Sequence, residues 1–156
     1  MRKIILSIIL VISMITVTGC VETDSAKVRA MSEEIMQCFI NKDVETLKNM
    51  FSPAILTMHD DIDEQIQNAF DFIDGEIISY RIPTAHNMHK QTDGGKATLH
   101  TIQPRISNIE TVEGKIYRIY YAGQLANAKN EDRVGLTGLR VDFDDGTSCN
   151  IGGYPD

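Results

Sequence analysis

Apolar residues early in the chain recur three or four apart, and those in its second half tend to alternate. Between residues 27 and 50, Val28, Met31, Ile35, Cys38, Phe39, Leu47 and Met50 keep the spacing that gathers side chains on one face of a helix. Asn41-Lys42-Asp43 interrupts it. Asp43 suits a helix N-cap, and Glu45 follows in a first turn where the helix dipole favours negative charge. The pattern therefore predicts a long first helix and a short second one over 44–51, stopped by Ser52-Pro53. A third helix is predicted over 60–74. Ile62, Ile66, Ala69, Phe70 and Ile73 form its stripe, Asp60 or Asp61 its cap, and Gly75 its C-terminal stop.

After Gly75 the period falls to two. Residues 76–82 (EIISYRI) predict a strand ended by Pro83, and 84–95 a polar loop closing in Asp93-Gly94-Gly95. Residues 96–112 alternate irregularly around Pro104, which suggests an edge position or a bulge. Glu113-Gly114 turns the chain into 115–125 (KIYRIYYAGQL), the segment richest in β-formers. A loop over 126–133 and a last strand over 136–143 complete the pattern. Helices gathered before an antiparallel meander predict an α+β domain, its helices laid on one face of a curved four-stranded sheet. Residues 144–156 lie outside the pattern.

The first twenty residues follow different rules. Arg2 and Lys3 precede an apolar run from Ile4 to Val17, then Thr18-Gly19-Cys20. This is the layout of a secretory signal peptide, and the run is shorter than the roughly 20 residues a membrane-spanning helix needs. Val17-Thr18-Gly19-Cys20 resembles the bacterial lipobox. The resemblance implies diacylglycerol on the Cys20 sulfur, cleavage after Gly19 and further acylation of the new amino group, a two-signal anchor that holds stably where one chain does not. The expected organisation is a leader over 1–19, a lipidated tether over 20–26 and one domain over 27–156. The mature part has about 137 residues, enough for a single core. The expected location is the extracytoplasmic face of the cell membrane.

Net charge is −7, and loss of Arg2 and Lys3 makes the mature chain more acidic still. Such a body disfavours nucleic acid and gains nothing from anionic headgroups, so attachment rests on the lipid. Cys38 and Cys149 remain after processing. An extracytoplasmic setting permits a disulfide between them, whereas Cys38 at an apolar helical position also suits a free, hydrophobe-like thiol.

Candidate chemistry is sparse. His86, His89 and His100 are weak candidates for metal ligands: two lie three apart in the polar loop and the third on the next strand, without the close-set thiolates or carboxylates that structural sites bring. Asp142-Phe143-Asp144-Asp145-Gly146 fails calcium-loop spacing and fits a strand-ending turn. No nucleophile elbow or phosphate-binding glycine loop occurs. No catalytic residue and no cofactor is assigned. The residues singled out for a ligand are Tyr80, Tyr117, Tyr121 and Arg118. Alternation puts Tyr117, Ile119 and Tyr121 on one sheet face and Ile116, Arg118 and Tyr120 on the other. Arg81, Arg105, Arg118 and Arg140 fall at strand positions where they can meet on one face and hold a carboxylate or phosphate, or pair with neighbouring acids.

The order of helices and strands resembles the cystatin-like and NTF2-like group. Within it, the runs NKDVETLKNMFS (41–52), FIDGEIISY (72–80), NIETVEGKIYRIYY (108–121) and GLTGLRV (135–141) are similar to the small clostridial lipoproteins of the DUF5104 family. The resemblance implies a cone of helices on sheet and carries no catalytic signature. The expected function is a non-catalytic binding domain for a small ligand, a peptide or an envelope protein. Two alternatives stand beside it. Some enzymes of this fold use a tyrosine with an aspartate inside the cone, and here Tyr with Asp or His would serve. Other relatives dimerise through the open sheet, which would make this chain a homodimeric structural module.

Overall fold

In a computed structural model the chain is described over residues 23–84 and 87–154. The leader, Cys20 and His86 lie outside these residues. Four helices precede and cover one face of an antiparallel sheet, so the α+β order expected from the sequence stands.

Helix α1 (Asp24–Asn41) is capped by the Thr23 hydroxyl, which accepts from the Ala26 amide. It begins three residues before the predicted start, because a Thr-Asp pair at the N-terminus is itself a capping signal, and so shortens the expected tether. Lys42 closes α1 in the left-handed conformation, and its ammonium donates to the Phe70 carbonyl at 3.0 Å. Helix α2 (Val44–Asn49) has the expected Asp43 cap. Helix α3 (Pro53–Met58) was not predicted. Ser52-Pro53, read as a stop, is also a start: the Ser52 hydroxyl accepts from the Ile55 amide and Pro53 fills the first turn. Helix α4 (Ile62–Phe72) carries four of the five predicted stripe residues, Ile62, Ile66, Ala69 and Phe70, and ends two residues before the predicted end, with Ile73 as its extended C-cap in place of a stop at Gly75.

The sheet has seven strands rather than four: β1 (Ile77–Arg81), β2 (Asn87–Asp93), β3 (Lys96–Gln103), β4 (Arg105–Thr111), β5 (Ile116–Asn127), β6 (Gly135–Phe143) and β7 (Ser148–Gly152). β3 and β4 are two halves of one path broken at Pro104. They pair with the far and near halves of β5, while β1 extends β4 and β2 extends β3. β6 takes the other edge of β5, and β7 lies beyond it. Register shifts interrupt most of these ladders, marking the bulges that bend strands.

One predicted loop and part of the unassigned tail are strands. β2 is exposed along its whole length, so no apolar alternation announces it, and backbone pairing with β3 holds it. β7 occupies the unassigned tail, its hairpin turned at Gly146, whose amide donates to the Phe143 carbonyl at 3.1 Å.

The core lies between the layers. Ile35, Leu47, Ile55, Ile66 and Phe70 from the helices meet Ile106, Ile109, Ile119, Val141 and Ile151 from the sheet. Backbone also ties the layers. The Ser52 amide donates to the Leu136 carbonyl at 2.9 Å and the Leu136 amide to the Met50 carbonyl at 2.8 Å. At the far edge the Gly152 amide donates to Gln65 Oε1, and His59 Nε2 lies 2.8 Å from the Gly153 carbonyl.

Candidate functional site

The four residues first singled out do not form one site. Tyr121 is buried under α1, where its hydroxyl lies 2.6 Å from Ser32 Oγ and 3.1 Å from the Val28 carbonyl. Tyr117 lies beneath Phe143 and Phe72, and its hydroxyl accepts from the Asp74 amide at 3.2 Å. The Tyr80 hydroxyl donates to Glu33 on α1. Arg118 is on the opposite face of the sheet, paired with Asp144 at 2.6 Å. The tyrosines join the helices to the sheet and are satisfied in doing so.

Burial pushes the Tyr121 hydroxyl up to about 12, against the opposing Ser32 hydrogen bond. An unfolded tyrosine ionises near 10, so the unfolded chain loses this proton first as pH rises. Stability from the protonated hydroxyl is therefore complete below pH 10 and is lost between about pH 10 and 12. Tyr121→Phe is expected to be less stable at neutral pH and to flatten the fall in stability over that alkaline range. Denaturant titrations at pH 7, 10 and 11 measure both, and an unchanged alkaline slope in the variant contradicts this reading.

The histidines are also dispersed. Lys90 pairs with His100 and His89 with Thr101 across the β2–β3 ladder, so His89 and His100 project from opposite faces. His100 is buried beside Asp24, with Nδ1 at 3.7 Å from the carboxylate, and Lys90 closes the cluster at 3.2 Å. Burial raises the Asp24 pKa, but the hydrogen bond from Lys90 and the electrostatic pull of His100, Lys90 and Lys27 outweigh it and hold the group below its ordinary range. These contacts pin the start of α1 to the β2–β3 ladder. Among the described residues no three His, Cys, Asp or Glu side chains gather as a metal site would require. Cys38 and Cys149 are free thiols in the structure. Burial first, with Asp43 and Glu34 adding to it, pushes the Cys38 thiol up to about 11, which makes it a poor nucleophile.

The face of the sheet turned away from the helices carries a broad groove of about 730 Å³. The strand ladder sets its pattern: Arg105 is opposite Tyr120, Tyr120 opposite Arg140, and Arg140 opposite Asn150. One step along, Ala122, Gly138 and Gly152 face one another. These three small residues leave the space, and the bulkier row walls it. Asn87 and Gln103, a β2–β3 pair, also line it. The Arg105 and Arg140 guanidinium carbons lie 5.9 and 5.1 Å from the Tyr120 ring centre, within cation–π range. Arg140 is further engaged by Asp142, with Nε 2.8 Å from one carboxylate oxygen and a second nitrogen donating to the other at 3.1 Å.

Strand positions of Arg105, Arg118 and Arg140 gave the sequence signal for this face. What sequence did not reveal was the glycine and alanine floor, because its members are 14 or more residues apart until the register of β5, β6 and β7 is known.

A comparison with curated proteins gives no match. The sequence model of the family described as Domain of unknown function (DUF5104) matches residues 34–145, from the middle of α1 to the turn after β6 and so most of the helix layer and of the sheet. This chain belongs to the DUF5104 family.

Proposed function

We propose that this chain is an extracytoplasmic lipoprotein, anchored through Cys20, whose folded part is a non-catalytic binding domain of NTF2-like, cone-forming type. The observation that carries the binding role is the groove on the open face of the sheet. Its volume falls in the range of small-molecule sites, about 300–1,000 Å³, and it combines an aromatic ring and apolar floor with a few polar groups, as such sites do. The tyrosines that an enzyme on this fold would use are instead bonded to α1 and to the turn after α4, which favours binding over catalysis.

Cys20 stands four residues before Asp24, the first residue of α1. At about 3.3–3.6 Å per extended residue, the tether holds the start of α1, and the β2–β3 ladder clasped to it, close to the bilayer. Cys20→Ala tests the location. Wild type is expected in the membrane fraction and accessible to protease from outside the cell, and the variant released or unprocessed. Processing and membrane retention both unchanged in the variant contradict the anchor. A dimer formed through the same open face would cover the groove, so a concentration-dependent dimer in light scattering would favour a structural role instead.

A further inference from the structure

We infer that the groove takes a planar organic monocarboxylate, with the Arg105 guanidinium as its anchor, an inference that rests on reading the groove as the ligand site. The chain as a whole carries a net charge of −7, yet the residues lining the groove include two arginines and neither an aspartate nor a glutamate. The two arginines are not equivalent. Arg140 is held by both oxygens of Asp142, and Arg118, just outside, by Asp144. Among the described residues Arg105 has no acidic partner; its neighbour is the ring of Tyr120. An exposed guanidinium without a carboxylate offers the fork that a carboxylate ligand completes with two parallel hydrogen bonds.

Beside that fork the Tyr120 ring and the Ala122–Gly138 floor offer a flat apolar surface, which fits a planar hydrocarbon attached to the anion. The amides of Asn87, Gln103 and Asn150 provide further neutral hydrogen-bond groups around the groove. A monoanion is favoured over a phosphate dianion by charge balance. One guanidinium is uncommitted, and Asp142 and Asp144 stand nearby on the same face, where they repel a second negative charge.

Three probes that share the naphthalene ring system test this: 2-naphthoate, 2-naphthalenemethanol and 2-naphthyl phosphate, titrated calorimetrically into the full lipidated chain in nanodiscs, with empty nanodiscs as blank. The expected result is that 2-naphthoate binds at least about tenfold more tightly than the alcohol, as a charge-assisted pair supplies. Arg105→Gln is expected to erase that preference, so that naphthoate binds no more tightly than the alcohol, and Arg105→Lys to retain part of it by keeping charge without the fork. If naphthoate and alcohol bind equally, or if Arg105→Gln keeps the preference, the carboxylate inference is overturned and the groove reading survives. Tighter binding of the naphthyl phosphate overturns the choice of carboxylate. If no probe binds, or binding persists in Gly138→Leu, which fills the floor, the groove reading falls together with the inference.

Discussion

Gly135→Ala is expected to lower the stability of the domain by roughly 3 kcal/mol, a fall in melting temperature of about 10 °C. Gly135 has φ +127°, where a side chain is strained whatever the space around it. An added Cβ would also stand 2.8 Å from the Ser52 amide nitrogen and 3.0 Å from the Met50 carbonyl oxygen. Those atoms cannot withdraw freely, because residues 50–52 are bonded to Leu136 on both sides. The substitution therefore strikes the backbone seam that joins the helix layer to β6. Gly138→Ala, three residues further on, is the control. Its Cβ would meet nothing nearer than 3.5 Å, and replacing a strand glycine by alanine is worth up to about 1 kcal/mol in its favour. Denaturant unfolding of the two variants checks the contrast, and equal stabilities would show that the seam contributes nothing.

The second large effect concerns the tail. The family match ends at residue 145, yet β7 lies beyond it and buries Ile151 completely. Ile151→Ala is expected to cost about 3 kcal/mol through lost burial and a residual cavity. Ending the chain after Gly146 removes that side chain, the β6–β7 ladder and the contacts of Gly152 and Gly153 with Gln65 and His59. Against a total stability of about 5–15 kcal/mol, this truncation is expected to abolish cooperative unfolding as followed by circular dichroism. A truncated chain that melts within a few degrees of the full one would reduce β7 to an ornament of the edge.

The parts of this fold that bury a stripe were legible in the sequence. α4 shows its four buried apolar positions, Ile62, Ile66, Ala69 and Phe70, at helical spacing, and β5 and β6 announce themselves by alternation. The faces of β5 also followed from alternation: Tyr117, Ile119 and Tyr121 are buried, while Ile116, Arg118 and Tyr120 are not. Elements held by backbone pairing or by one anchor were not legible. β2 has no buried residue, and β7 has only Ile151. α3 was hidden because proline marks both the end of one helix and the first turn of the next. The candidate site was half visible for a related reason. Arg105 and Arg140 could be placed on strands, but their convergence on Tyr120 depends on a register set by bulges and by the break at Pro104.

This dependence on register also explains why the tyrosines misled. Aromatic residues on a sheet facing helices are as useful for bonding the two layers as for binding a ligand, and only their hydrogen-bond partners separate the two uses. Here the partners belong to α1 and to the turn after α4. The same sheet thus has a helix-facing side committed to stability and an open side that presents a groove.

The most direct test is native mass spectrometry of the full-length protein, purified under non-denaturing conditions from the cells that make it, compared with the Gly138→Leu variant. The account predicts a bound small-molecule mass in the wild type that is absent from the groove-filled variant, with circular dichroism of the two unchanged. The same adduct on both proteins, or none on either, would contradict the claim that the open face of the sheet is a binding site.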